Sequence, residues 1–228
     1  MSDYLISILQ GALVTVAVSL LALLVAIALG LLGAAAKLSG QWLLKALASI
    51  YTTVIRGIPE LVLMLLVFYG GTIGANRLLE MAGSERTVDI DPFLAGVLTI
   101  GFIYGAYMTE VFRGAILAIP KGQAEAARAY GMSLPQTLLR IVLPQMVRYA
   151  LPGFTNNWLV LIKATALVSL IGLQEMTYLA KQASAATREP FLFFMFTAGI
   201  FLVYTSLSLF LLRRLNQCYS LGVKRASH

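Results

Sequence analysis

Apolar positions fall into long runs separated by short polar stretches. A helix crossing the hydrocarbon of a bilayer needs roughly 20 apolar residues. Five runs reach that length wholly or nearly: Leu13 to Ala35, Pro59 to Leu78, Phe93 to Leu117, Pro152 to Leu173 and Pro190 to Leu212. The first begins earlier, at Tyr4, and is too long for one upright span, so Tyr4 to Gln10 is expected to lie along the interface as a short amphipathic helix. This start is not read as a cleavable signal, because Asp3 is the only charge before it and no short apolar core ends in a small-residue cleavage site.

Composition agrees with the pattern. Of 228 residues, 59% are hydrophobic and 12% charged, and the mean hydropathy is +0.84, more apolar surface than a soluble fold of this size can bury. The expectation is one all-α membrane domain over residues 1–228, with its core at about 12–213. Cys218 is the single cysteine and His228 the single histidine, which nearly excludes disulfides, Cys/His metal sites and His-dependent nucleophilic pairs within one chain.

Charge then sets the orientation. With five spans, Arg77, Arg86, Lys181 and Arg188 fall on one side and twelve basic residues on the other, five of them between spans three and four; Lys163 is left inside span four. Lys and Arg mark cytoplasmic loops, so the N-terminus is expected outside and the C-terminus in the cytoplasm. The net charge of +7 is then a property of those loops and does not point to nucleic acid.

The polar segment from Pro120 to Pro144 is built like a helical hairpin. Gln123 to Tyr130 reads as a short helix rich in alanine, and Gly131 can take the left-handed conformation that closes it. Ser133 and Gln136 make a capping box, with Pro135 in the first turn of a second helix. That helix runs through Leu138, Leu139, Ile141 and Val142 until Pro144 is expected to break it. Such a knob, charged at Glu125 and Arg128, suits docking into a groove on a partner; as an ordinary connector it would touch nothing.

The same residues carry a family resemblance. Glu125, Ala126 and Ala127, then Arg128, Gly131, Ile141, Leu143 and Pro144 have the spacing of the EAA loop of ABC importer permeases. Arg56-Gly57-Ile58-Pro59, Gly105 to Gly114, Ile119 to Gln123, Ile162 to Leu170 and the ending Gly222 to Ala226 resemble the amino-acid branch of that family. Within it, the chain looks closest to the first permease subunit of the histidine/lysine/arginine/ornithine importers. The resemblance implies a type I permease fold in a bacterial inner membrane and a hairpin that docks on an ATPase subunit dimer. It also implies a second permease subunit, identical or paralogous, and a periplasmic amino-acid binding protein. This chain contains no Gly-Lys dipeptide and hence no phosphate-binding loop, so no cofactor is expected on it. ATP and Mg are expected on the partner ATPase.

Candidate residues of the substrate path are Arg56 and Glu60, which flank a Gly/Pro interruption of the kind transporters use to expose backbone to substrate, together with Asn157, Lys163, Thr165 and Ser169. Each has a plainer reading. Arg56 can anchor a helix start at the interface, Asn156 and Asn157 can bond between helices, and Lys163 can pair with a carbonyl or acid for packing. Many amino-acid permeases of this family carry an acidic residue directly after this lysine; here it is Ala164, and a paralogous partner can supply the missing anion. Glu110 and Arg113 are expected to pair, and Gly101 and Gly105 to form a close-packing GxxxG. Glu80 to Asp91 reads as a solvated loop or a docking segment for the binding protein. A self-sufficient secondary transporter or channel is the competing function and does not explain the hairpin. An intramembrane enzyme lacks convincing active-site acids.

Overall fold

The structure, a computed structural model, describes residues 1–83 and 86–219, Cys218 and Tyr219 through their backbone alone. Glu85 of the acidic segment and the ending Gly222 to Ala226 lie outside the described residues. Those described form helices joined by short links, and five helical segments are long and apolar enough to span a membrane: Ser2–Leu38, Glu60–Met81, Pro92–Leu117, Leu134–Ile171 and Pro190–Gln217.

Helix α1 (Ser2–Leu38) is continuous. The separate interfacial helix expected over Tyr4 to Gln10 does not exist, because that stretch is held inside the fold: Ile8 is fully buried with Met176, Ala180 and Phe193, and a Cβ on Gly11 would stand 2.8 Å from the Met176 nitrogen. The polar link after α1 contains a helix of its own, α2 (Trp42–Gly57), which the span pattern did not reveal. It buries Ala48, Thr52 and Ile55 and leaves Trp42, Leu47 and Ile50 exposed.

Span two is α3 (Glu60–Leu65), a π-helical turn (Leu66–Gly70) and α4 (Gly71–Met81). Span three is α5 (Pro92–Leu117), begun by an Asp91 side chain that accepts from the Leu94 nitrogen at 2.8 Å. It is the most buried span and its glycines set its fit against α1. A Cβ on Gly101 would stand 2.6 Å from Val25 Cβ and one on Gly105 2.8 Å from Leu29 Cβ; from the other side, one on Gly30 would stand 2.6 Å from Met108 Cβ. The expected GxxxG packing is therefore present.

After α6 (Lys121–Ala129) and α7 (Leu134–Thr137), a π-helical segment (Leu138–Val142) leads into α8 (Leu143–Ala164). Pro144 does not break the helix as expected. It falls in the first turn after the π segment, where a proline forfeits little because the widened turn has already displaced the hydrogen-bond ladder. Pro152, expected to open span four, lies inside α8. The second arm of the hairpin and span four are thus one element, carried to Ile171 by a 3₁₀ stretch (Thr165–Ile171) and closed by Gly172 at φ 89°.

The link to span five holds α9 (Met176–Thr187), capped by the buried Glu175, whose carboxylate accepts from the Tyr178 nitrogen at 2.8 Å and from Thr15 Oγ1 at 3.1 Å. Span five, α10 (Pro190–Tyr219), is mostly exposed.

Candidate functional site

The hairpin takes its shape from its turn. Two hydrogen bonds close α6: Gly131 N donates to Arg128 O at 2.9 Å and Met132 N to Ala127 O at 3.1 Å. This double closure requires a left-handed residue between them, and Gly131 supplies it at φ 76°. The next helix starts with the Ser133 nitrogen donating to Gln136 Oε1 at 3.0 Å. Ala127 and Thr137 are the buried residues of the two arms. Outward stand Glu125, Ala126 and Arg128, together with Tyr130, which is 90% exposed, Leu134 and Leu139, so the knob presents charge beside bare apolar surface. Of the remaining hairpin residues, Leu143 and Pro144 are exposed and Ile141 half-buried. The helix begins at Lys121, two residues earlier than expected, which places Glu125 in its second turn. A charge there is beyond the strongest reach of the helix N-terminal dipole.

A second constellation lies midway along span three. The expected helix interruption is present: Ile58 is extended (φ −107°, ψ 138°) and Pro59 has ψ 135° between α2 and α3. Arg56 closes α2 and lies over the Tyr107 ring, its Cζ 5.2 Å from the centroid. Tyr107 and Tyr104 have their ring centroids 5.7 Å apart. The Tyr104 hydroxyl donates to Glu60 Oε1 at 3.0 Å, with Oε2 at 3.2 Å. Two charges expected only to flank a kink are thus joined through two tyrosines of another span. The sequence signal for them, tyrosines three apart in an apolar helix, is legible only once Glu60 is known to be opposite.

Among the described residues, no hydrogen bond or ion pair joins the other candidate path residues to this cluster. Lys163 is exposed on α8, in a stripe with Tyr149, Pro152, Asn156 and Val160, and has no acidic or carbonyl partner among the described residues. Asn156 and Asn157 likewise make no interhelical hydrogen bond among the described residues. Thr165 Oγ1 donates to Ile162 O at 2.6 Å and Ser169 Oγ to Ala166 O at 2.7 Å, which ties both hydroxyl protons to their own helix.

Toward the C-terminal end of span three, Glu110 pairs with Arg113 as expected, at 2.9 Å, and also with Lys37 at 2.5 Å. Lys37 Nζ donates to Thr52 Oγ1 at 2.6 Å as well. Sequence spacing missed Lys37 because it lies on another helix. One lysine thereby ties α1, α2 and α5 together.

Comparison with known proteins places these features in context. Residues 26–217 match the family described as binding-protein-dependent transport system inner membrane component. The chain is 51% identical over 219 residues, 96% of each chain, to the histidine/lysine/arginine/ornithine transport system permease protein HisQ of Salmonella typhimurium. It is 44% identical over 200 residues, 88% of this chain and 84% of the relative, to the octopine transport system permease protein OccQ of Rhizobium radiobacter. A solved structure described as an amino acid ABC transporter with histidines superposes with a TM-score of 0.79 at 31% identity, over 95% of this chain and 96% of that one.

Proposed function

The chain belongs to the family of binding-protein-dependent transport system inner membrane components, and from that premise we propose that it forms part of the import path for basic amino acids: histidine, arginine, lysine and ornithine. It is a multi-pass permease of the type I ABC importer fold. The whole chain acts as one permease domain, its path completed by a second permease subunit, identical or paralogous. A periplasmic binding protein delivers substrate, and a dimer of ATPase subunits that holds ATP and Mg docks on the hairpin. The N-terminus is outside and the C-terminus cytoplasmic, the orientation that the loop charges favour; the exposed apolar faces of the spans meet lipid and the partner permease.

The observation that carries this reading is the continuity of the hairpin with span four. A docking knob formed by Glu125, Ala126, Ala127, Arg128 and Gly131 passes through Ile141, Leu143 and Pro144 into the helix that bears Asn157, Lys163, Thr165 and Ser169. Movement of an ATPase against the knob is therefore delivered along span four to the 3₁₀ stretch, which packs on α3, the helix that Glu60 begins, where alternating access exposes substrate first to one side and then to the other. A secondary transporter has no use for such an arm.

The test is reconstitution with the ATPase, second permease and binding protein. ATP hydrolysis should be stimulated by the binding protein loaded with histidine, arginine, lysine or ornithine. Stimulation by neutral or acidic amino acids alone would refute the substrate class, and uptake by this chain alone under an ion gradient would refute the coupling.

A further inference from the structure

Glu60 is a carboxylate that the fold orients without neutralising. Among the described residues the ion pairs are Lys37 with Glu110 and Arg113 with Glu110; Glu60 has only the Tyr104 hydroxyl, at 3.0 and 3.2 Å from its two oxygens. Tyr104 is 2% exposed and is the thirteenth of the 26 residues of α5, so Glu60 stands level with the middle of span three. An acid at that depth is costly and needs a cation or a water-filled cavity.

The obvious cation is Arg56, four residues earlier, since an unbroken helix would set the two side by side. The extended link at Ile58 and Pro59 prevents this, and Arg56 is stacked on Tyr107 instead. The interruption therefore keeps two opposite charges apart at one level of the bilayer, with two tyrosine rings between them. Glu60 is half-buried, so the residue is partly open as well as fixed.

We propose that Glu60, oriented by Tyr104, is the anionic subsite that receives the cationic side chain of a basic amino acid in mid-membrane, and that it supplies within this chain the negative charge that Ala164 cannot. Glu60 contacts the substrate. Tyr104 is a positioning residue: its hydroxyl holds the carboxylate, and the carboxylate holds the cation. The assignment rests on the import reading above and adds to it the residue that recognises charge.

The experiment uses the assembled, nucleotide-free transporter in lipid nanodiscs without the binding protein, so that the latter's selectivity does not enter. Equilibrium binding is measured for arginine and for citrulline, which has nearly the same shape and no side-chain charge. Wild type should prefer arginine. Glu60→Gln should lower that preference about tenfold or more, the scale of one lost charged hydrogen bond. Glu60→Asp should keep most of it. Tyr104→Phe should raise the Kd for arginine while leaving the Kd for citrulline and the ATP hydrolysis of the complex close to wild type, a split that loss of folding does not produce. A Glu60→Gln complex that assembles, hydrolyses ATP and keeps the wild-type preference overturns the assignment, as does a wild type that binds arginine no better than citrulline. Neither outcome touches the import reading, which stands or falls on stimulation by the loaded binding protein.

Discussion

Replacing Gly131 with valine isolates backbone strain from every other effect at the hairpin between α6 and α7. A Cβ at Gly131 would meet nothing within 4 Å, yet the residue has φ 76°. No clash contributes; the whole cost is that of holding an L-residue in the left-handed region, about 1–2 kcal/mol, with a β-branched side chain toward the upper end. Both closing bonds, Gly131 N to Arg128 O and Met132 N to Ala127 O, depend on that conformation. Since about 1.4 kcal/mol is tenfold in an equilibrium constant, the formed knob should fall roughly tenfold relative to open forms of the turn. Gly131→Asn should do less, because asparagine tolerates this region. Gly114→Ala is the control, since that glycine also faces open space but has no positive φ. The assay is copurification of the ATPase with each variant, then uptake into vesicles. Gly131→Val should insert normally and lose recruitment in proportion. If it recruits the ATPase and transports as wild type does, the turn does not govern docking and the reasoning is wrong.

Glu125→Lys should also lose recruitment while leaving thermal stability within about 0.5 kcal/mol, because Glu125 is exposed and beyond the first turn of α6; Lys121→Ala should change neither, and equal losses in both would refute a specific contact at Glu125. A phosphatase reporter fused after Ala226 should be silent if the C-terminus is cytoplasmic, and strong activity would overturn the five-span orientation. Lys37→Met removes the donor shared by Glu110 and Thr52 and should lower stability by about 1–3 kcal/mol, read as a reduced melting temperature in detergent. An unchanged melting temperature would show that the cluster does not secure α2.

The five spans were legible because length and apolarity are what a bilayer selects. The hairpin was legible because Gly131, Ser133 and Gln136 are local signals that act within a few residues. Two misreadings share one cause. Pro144 and Pro152 look like breaks, yet a π segment and a first-turn position absorb one, and the other is carried inside α8. Helix α2 escaped notice because most of its residues face outward and its pattern falls short of a span. The ties from Lys37 to Glu110 and from Tyr104 to Glu60 join residues 73 and 44 apart, and nothing local in a sequence announces a partner at that distance.

The seam between α1 and α5 has a kinematic consequence. Val25 and Leu29 mesh with Gly101 and Gly105, and Met108 fills the notch at Gly30, so the two helices engage like gear teeth with no clearance for one methyl group. Sliding by one helical turn, about 5.4 Å, would drive branched side chains into backbone all along the seam. The pair must therefore travel as a single block, and any alternation between inward and outward openings has to be taken up at the looser joints on either side, where span two and span five touch it lightly.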